Sequence, residues 1–481
     1  MRARRGREMV LEQWSVGGRG FGTLFVFLLM AGEIYTTFTF LGGSGWAYGK
    51  GAPAFYILGY GALAYALSYS LLPPVWRYAK AHGLVSQADF FVSKYASEPL
   101  GILVSVVSVV ALVPYLVLQL KGLGIIVSEA SYGRVSPAVA VWVSSVTVVV
   151  YVIASGVRGS AWTAVLKDVM ILAVVLALGI YLPVHEFGGY RAMFESIARA
   201  RPGFLVLPSK GMSPSWFIST VALTVLGFYM WPHTFGSAYT AKDENVFRKN
   251  AVIMPLYQLV LLFVFFTGFA ALAVVPGLRG SDVDLSLLRA SKAAFSPWVV
   301  GAIGAAGLLT ALVPGSMILM SASTILAKNV YAKARPGASE REITRLAKGL
   351  VPLVALVAVT FTFRGGDTLV MLLLMGYNFV TQLFPALVLS LPRRPIATRQ
   401  GAFAGILAGT LTVAYLTVSK ATMATLFPSL PSVVTDLNIG IVAMVVNVVV
   451  LAAVSVATRG SGIGKRGSGI ENRETGTGIH T

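Results

Sequence analysis

Cysteine is absent from this sequence of 481 residues, and charged residues are scarce at 12%. Without cysteine the chain can form no disulfide, no zinc–thiolate site and no thiol nucleophile. Soluble globular proteins carry roughly 25% charged residues, so this chain has only about half of that charge. Hydrophobic residues make up 56% of the sequence, and the mean hydropathy is +0.76. This composition is typical of a protein whose outer surface faces lipid.

Motifs for catalysis and nucleotide binding are also missing from the sequence. It has no nucleophile elbow, no HExxH motif and no phosphate-binding glycine loop followed by Lys and Ser or Thr. These absences argue against an enzyme and against an ATP-driven pump, and we expect no cofactor. No ring of charges or filter-like segment favours a channel. The net charge of +19 lies in short loops and tails, so we expect no nucleic-acid partner.

Long apolar runs dominate the chain. A membrane-spanning helix needs about 20 mostly apolar residues, and every backbone amide in lipid must be paired. Twelve runs meet this requirement, at 22–47, 53–79, 99–127, 136–154, 161–185, 214–238, 249–276, 296–327, 346–364, 367–391, 401–419 and 437–457. The sequence therefore predicts an all-α polytopic membrane protein with about twelve transmembrane helices.

The distribution of Lys and Arg predicts the orientation. With the N-terminus inside, the cytoplasmic segments hold 25 of these residues and the opposite side holds 11. We therefore expect a multi-pass plasma-membrane protein with both termini in the cytoplasm. Residues 1–21 form the predicted N-terminal segment, and 459–481, rich in Gly, Ser and charge, a disordered tail. We expect an amphipathic helix within 81–98 and a longer external loop at 186–213.

Glu33 is the only acid near the middle of an apolar run. Charges inside spans are costly, so each is a functional hypothesis by default. Thr36 and Thr37 lie about one turn further along, and Gly32 weakens the helix beside them. The carboxyl is a candidate proton carrier or solute contact. It could equally be a structural group that is hydrogen-bonded to a neighbouring helix.

The sixth run is interrupted at Pro232, which removes a backbone hydrogen bond and kinks a helix. Trp231 and His233 flank the proline, and His233 is the only histidine well inside a run. Runs one and six are five apart, and paired interruptions in two repeats point to a transporter site. The free ends of half-helices can hold anions and cations. An ordinary kink with an aromatic anchor is the alternative.

Two further runs carry polar residues four apart, which places each pair on one helix face. Run three has Tyr115 and Gln119, and run ten has Asn378 and Gln382. All four are candidate solute contacts. Amides in lipid must find partners, so contact between helices is the competing interpretation for the pair in run ten.

Four stretches of the chain carry a resemblance to a known family. They are WSVGGRGFGTLFVFLLMAGEIYTTFTFLG, VPYLVLQLKGLG, SGVRGSAWTAVLKDVMI and TALVPGSMILMSASTILAKNVYAK. Along nearly its whole length the chain resembles the sodium:solute symporter family, and specifically its monocarboxylate-permease branch. The resemblance implies a core of five plus five helices in inverted repeats, 22–185 and 214–391, with a solute site between broken helices one and six. Two additional transmembrane helices would occupy 392–458.

The resemblance also assigns residues to sites. The residues at the family's coupling-cation positions are Gly32, Tyr35, Asp168, Thr310, Val313 and Pro314. Together with the polar residues above, it implies a solute site made by Glu33, Thr36, Thr37, Tyr115, Gln119, Trp231, His233, Asn378 and Gln382. No metal other than sodium is implied.

Two departures set the chain apart from typical sodium-coupled members. Val313 and Pro314 stand where those members have hydroxyl residues, and neither offers a side-chain oxygen to a hard cation. Lys167 stands in place of the usual Thr before Asp168. Lys167 and Asp168 form either an interfacial ion pair or part of an ion site. A proton carried by Glu33 therefore competes with sodium as the coupling ion.

The function we expect is cation-coupled symport of a small organic solute by alternating access, with a monocarboxylate such as lactate or pyruvate as the first candidate. An amino acid, pantothenate or another small solute is the alternative. A membrane sensor on a transporter-like scaffold ranks lower, because the tail 459–481 is too short and polar to be a signalling module. The predicted partners are the solute and the lipid bilayer, and the sequence leaves protein partners open.

Overall fold

The computed structural model describes residues 19–459, with the backbone but not the side chains of 155–162. Ten of the described helices are long and apolar enough to cross a membrane, and two bent helix pairs bring the number to twelve. We number them span 1 to span 12: Thr23–Ile34 with Phe38–Lys50, Ala52–Ala81, Glu98–Ala130, Pro137–Ala154, Thr163–Phe187, Pro214–Met230 with Pro232–Tyr239, Asn245–Val274, Pro297–Ala334, Glu340–Thr362, Leu369–Ser390, Arg399–Val418 and Ile439–Arg459. The predicted fold class is confirmed, and each span coincides with one predicted run.

Burial separates the inner spans from the outer ones. In spans 8 and 10, 78% of an apolar stretch of 18 residues is buried inside the protein, whereas the same fraction for span 12 is 28%. The inner helices are therefore apolar because they pack on protein, and the outer ones because they face lipid. Polar groups on spans 8 and 10 lie in the protein interior, where only other protein groups or a ligand can satisfy them.

Spans 1 and 6 are each broken, as the sequence predicts. Their halves meet at angles of 47° and 52°. In span 1 the first half ends at Ile34, and the helix resumes as a π-helical segment, Phe38–Gly43. In span 6 the break falls at Trp231, which is extended (φ −63°, ψ 129°). Pro232 causes it, because proline has no N–H and disfavours the helical conformation in the residue before it.

Shorter helices connect the spans. The α-helical ones are Gln87–Tyr95, Tyr190–Ala200, Ser286–Ala294, Met423–Leu426 and Ser432–Thr435, and Gly280–Leu285 is a 3-10 helix. The amphipathic helix predicted within 81–98 is confirmed, and it begins at a capping box made by Ser86 and Asp89. Lys328 lies 2.6 Å from the Asp89 carboxylate and, with hydrogen bonds from Asn329 and Val85, keeps the pKa of Asp89 below its ordinary value despite burial.

Backbone contacts define two faces of the bundle. At one face, Phe21 N donates to the carbonyl of Thr240, close to where the described chain begins. We call this the terminal face. At the other, the opposite face, the N–H of Leu369 at the start of span 10 donates to the Asp284 carboxylate over 2.9 Å. That the terminal face is cytoplasmic stays a prediction. The tail from residue 460 onward and residues 1–18 lie outside the described part of the chain.

Spans 11 and 12 pack against each other through glycines. A Cβ on Gly401 would come within 1.9 Å of Ser455 Oγ, and one on Gly405 within 2.6 Å of the Leu451 Cβ. Small residues four apart let two helices approach closely in a membrane. The last two spans therefore form a tight pair, which packs against span 10.

Candidate solute site

A carboxyl–imidazole pair lies between the two broken spans. Glu33 Oε2 is 2.7 Å from His233 Nε2, and the two side chains are 4% and 1% exposed. Ser237, one turn after His233, donates to the other carboxylate oxygen of Glu33 over 3.2 Å. A buried charge is tolerated only with a partner, and each side chain here supplies one for the other. The pair joins the first half of span 1 to the second half of span 6.

Aromatic rings from three spans enclose this pair. The hydroxyl of Tyr115 donates to the backbone carbonyl of Glu33 over 3.2 Å. Its ring centroid lies 4.9 Å from that of Trp231 and 5.3 Å from that of His233. Trp231 in turn contacts Tyr377 at 5.2 Å. Spans 3, 6 and 10 thus form a buried apolar wall beside the carboxyl–imidazole pair.

Gln119 presents an amide without a full set of partners. Its Oε1 accepts a 2.6 Å hydrogen bond from Thr37, but its Nε2 is buried and has no partner among the described residues. The hydroxyl of Thr36, in contrast to that of Thr37, accepts a hydrogen bond from the N–H of Phe38, where the helix resumes. A buried donor without a partner costs about 1 to 3 kcal/mol. Such a donor is available for a hydrogen bond to an acceptor atom on a ligand.

The structure places Gln382 in another environment. Its Nε2 donates to the carbonyls of Asn378 and Gly440 over 3.0 and 3.1 Å. Asn447 of span 12 donates to its backbone and side-chain oxygens over 2.7 and 3.3 Å. Asn378 lines a cleft of about 430 Å³ that also includes Asp367. Spans 10 and 12 are thus held together by Gln382, which the structure does not bring to the central cluster.

The predicted cation positions on spans 1 and 5 meet at the break in span 1. Lys167 Nζ lies 2.8 Å from Asp168 Oδ1 and 3.3 Å from the carbonyl oxygen of Tyr35. A Cβ on Gly32 would be 3.3 Å from this same ammonium. The hydroxyl of Tyr35 donates to the carbonyl of Tyr257 over 2.8 Å, which fixes span 1 against span 7.

On span 8 the predicted cation positions make contacts within their own helix or with apolar groups. The hydroxyl of Thr310 donates to the carbonyl of Gly307 over 2.6 Å. Val313 is buried and packs with Leu28 and Ala164. Pro314 follows it inside the helix, and its side chain offers no oxygen. Val313 still lies near the other positions, because its Cγ1 would be 3.8 Å from a Cβ on residue 32.

Sequence reasoning missed two groups that the structure places at these sites. Ser237 was not singled out, although it lies four residues after His233 and therefore shares its helix face. The ammonium of Lys167 was noted as a departure from the family but not as a neighbour of the Tyr35 carbonyl. Arg158, in the same family-like stretch, falls among the residues whose side chains are not described.

Comparisons with known proteins bear on the family and the fold. A family model described as "Sodium:solute symporter family" matches residues 14–409. The uncharacterized symporter YhjB of Bacillus subtilis is 65% identical over 459 residues, covering 95% of this chain and 94% of that protein. The monocarboxylate transport permease protein of Rhizobium johnstonii is 29% identical over 393 residues, covering 79% and 77%. A solved Na⁺-coupled sialic acid symporter, in a substrate-bound outward-open state, superimposes with a TM-score of 0.74 at 15% identity, covering 94% and 92%.

Proposed function

This chain belongs to the sodium:solute symporter family, and we propose that it accumulates a small monocarboxylate, such as lactate or pyruvate, by alternating access. Family and fold are those of membrane transporters. The solute, the coupling ion and the roles of individual residues are what we propose here. The solute would bind between the breaks of spans 1 and 6, against the wall formed by Tyr115 and Trp231.

The observation that carries this proposal is the unpartnered, buried amide N–H of Gln119, which lies one helical turn after Tyr115, whose ring contacts His233. A carboxylate has two oxygens that accept hydrogen bonds, and bonds to charged groups are the stronger ones. His233 Nδ1 also has no hydrogen-bond partner in the described part of the chain, and it donates when the imidazole is protonated. The second half of span 6 begins at Pro232, and the start of a helix favours an anion.

Tight packing around the wall favours a solute with few heavy atoms. A Cβ on Gly376 would come within 2.4 Å of the Trp231 ring, so span 10 is pressed against the indole. The short chain of lactate or pyruvate presents an apolar end to the rings and a carboxylate to Gln119. The relative named as a monocarboxylate transport permease supports the same class of solute.

The family and the site support different coupling ions. The family description and the Na⁺-coupled structural neighbour support sodium. The buried pair of Glu33 and His233, 2.7 Å apart, supports a proton, because a carboxyl and an imidazole in contact can hold one proton more or fewer. In the proton alternative, Glu33 is the carrier.

A neutral or zwitterionic solute, such as an amino acid or pantothenate, is the second candidate. The buried carboxylate of Glu33 could pair with the ammonium of an amino acid. However, His233 and Ser237 already contact its two oxygens, which favours a solute that brings a carboxylate without an ammonium.

The test is uptake of radiolabelled lactate into proteoliposomes, driven separately by an inward sodium gradient and by an inward proton gradient. We expect accumulation under at least one gradient and competition by pyruvate. Inhibition by alanine, proline or pantothenate, with none by pyruvate, would favour the second candidate. Failure of lactate to accumulate under either gradient would contradict the proposed solute, and binding without transport would favour a sensor.

A further inference from the structure

Lys167 places a positive charge where the family resemblance puts the coupling cation. Its side chain is fully buried, and its Nζ lies 2.8 Å from Oδ1 of Asp168. The same atom donates to the carbonyl oxygen of Tyr35 over 3.3 Å. These two oxygens come from spans 5 and 1, and both were expected to bind the cation. The lysine therefore already contacts the oxygens that an ion would need.

The backbone at Gly32 leaves the space that the ammonium fills. A Cβ at this position would be 3.3 Å from Lys167 Nζ, which is closer than ordinary van der Waals contact. A side chain on residue 32 would therefore compete with the lysine for this space. Glycine lets span 1 and the ammonium approach each other directly.

Two of the remaining positions offer a sodium ion no side-chain oxygen. Hard cations are bound by roughly six oxygen ligands. Val313 presents methyl groups that pack against Leu28 and Ala164, and its carbonyl accepts a 2.6 Å hydrogen bond from Ser316. The Thr310 hydroxyl donates back to its own helix. At positions 313 and 314, span 8 thus offers no side-chain oxygen to complete a shell around an ion.

The charge balance at Asp168 also argues against a bound sodium ion. A bound sodium ion would offset the carboxylate of Asp168, and the ammonium of Lys167 already does so at 2.8 Å. A second cation among the same oxygens would lie within a few ångströms of the first. Like charges at that separation repel strongly in a buried, low-dielectric site.

We propose that Lys167 is a tethered cation that replaces sodium at the junction of spans 1, 5 and 8, so that transport by this chain does not require sodium. The inference rests on the proposed transport function, but it concerns the ion rather than the solute. A lysine cannot leave with the solute, so this position takes no energy from a sodium gradient. The driving force must then come from another ion.

Transport in the absence of sodium is the first test. Lactate uptake is measured in proteoliposomes with sodium replaced by choline, at constant pH gradient and membrane potential. We expect the same initial rate for the wild type in both media. We expect Lys167→Thr, which puts a hydroxyl in place of the ammonium, to need sodium for any uptake. A matched control is Lys121→Thr, because Lys121 lies at the opposite face and contacts the backbone of Asp367. It should behave like the wild type.

Sodium binding to the purified protein is the second test, and it requires no knowledge of the solute. We expect saturable binding of radioactive sodium by Lys167→Thr and none by the wild type or by Lys121→Thr. The wild-type result decides the question even if Lys167→Thr does not fold. Saturable sodium binding by the wild type, or wild-type lactate uptake that disappears in choline, would overturn the inference. Sodium-dependent lactate uptake would overturn the inference about Lys167 but leave the proposed function standing. Absence of lactate uptake in every medium would contradict the proposed function, and the sodium-binding measurement alone would then test the inference about Lys167.

Discussion

Two fully buried glutamines, Gln119 and Gln382, have opposite hydrogen-bonding environments. Both are 0% exposed, and both lie on inner spans. The Nε2 of Gln382 donates to two carbonyls, and its oxygens accept from Asn447. The Nε2 of Gln119, in contrast, has no protein acceptor among the described residues.

This difference separates an amide that joins helices from one that, in our proposal, binds the carboxylate of the solute. Partners for Gln382 come from spans 10 and 12, so its hydrogen bonds connect the last helix pair to the core. In Gln119 only the side-chain oxygen has a partner, because it accepts a hydrogen bond from Thr37. Residue type and burial are the same in the two cases, and only the set of partners distinguishes them. The following predictions test or sharpen that distinction, from the largest expected effect to the smallest.

Glu33→Gln should abolish accumulation of the solute. A glutamine amide carries no charge and no exchangeable acid proton, so it cannot replace the carboxylate that lies 2.7 Å from His233, and accumulation should fall to the level of protein-free liposomes. The measurement is steady-state lactate accumulation in proteoliposomes. Glu98→Gln is the control, because Glu98 lies at the surface in an ion pair with Lys333. Accumulation by Glu33→Gln equal to that of the wild type would remove Glu33 from the mechanism.

Gln119→Leu should weaken solute binding more than it weakens the fold. Loss of a hydrogen bond to a charged group, worth about 1.5 to 3 kcal/mol, should raise the KM for uptake roughly 10- to 100-fold. The melting temperature should fall less than in Gln382→Leu, because the substitution removes an unpartnered N–H and leaves only the Thr37 hydroxyl without its acceptor. Thermal unfolding and uptake kinetics measured on one preparation check both parts.

Gln382→Leu should have the reverse effect. It leaves the carbonyl of Gly440 without its side-chain donor and removes the longer of the two bonds from Asn447, whose bond to the backbone oxygen of residue 382 remains. The loss costs about 1 to 3 kcal/mol of stability. The melting temperature should fall while the KM of the surviving protein stays at the wild-type value. A raised KM with an unchanged melting temperature would show that the distinction between the two glutamines is wrong.

Asp284→Asn extends the comparison to a carboxyl at the opposite face. One oxygen of Asp284 accepts from Leu369 N, while the other has no hydrogen-bond partner in the structure as described. Burial raises its pKa to about 7, against the opposing effects of the Leu369 hydrogen bond and of Lys121, while Asp282 adds to the rise.

The sign of the expected pH dependence follows from that raised pKa. The unfolded carboxyl loses its proton near pH about 4, before the folded one, so the free energy of unfolding should fall as the pH rises from about 4 to about 7. Asp284→Asn should lack this component, match the wild type at acidic pH and be the more stable protein above neutrality. Thermal unfolding across this pH range in detergent checks it. Parallel curves for the two proteins would contradict it.

Most of the fold could be predicted from the sequence, because lipid requires long apolar runs and leaves few alternatives to helices. The breaks in spans 1 and 6 were also predictable, since Pro232 has a defined local effect and glycine weakens a helix. These features depend on neighbouring residues only. The orientation of the chain, with both termini in the cytoplasm, stays a prediction.

The contacts that make the site could not be predicted in the same way. Ser237 and Glu33 are 204 residues apart, and Lys167 and Tyr35 are 132 apart. Spacing along a helix tells which residues share a face, but not which span that face meets. This is why Gln119 and Gln382 looked equivalent in the sequence, each four residues from another polar group.

Equilibrium binding of radiolabelled lactate to the purified protein tests the central claim most directly. The wild type and Gln382→Leu should bind lactate saturably and with similar affinity, and Gln119→Leu should bind it far more weakly. Equal binding by Gln119→Leu and the wild type, or no saturable binding by the wild type, would contradict a monocarboxylate site at the junction of the broken spans.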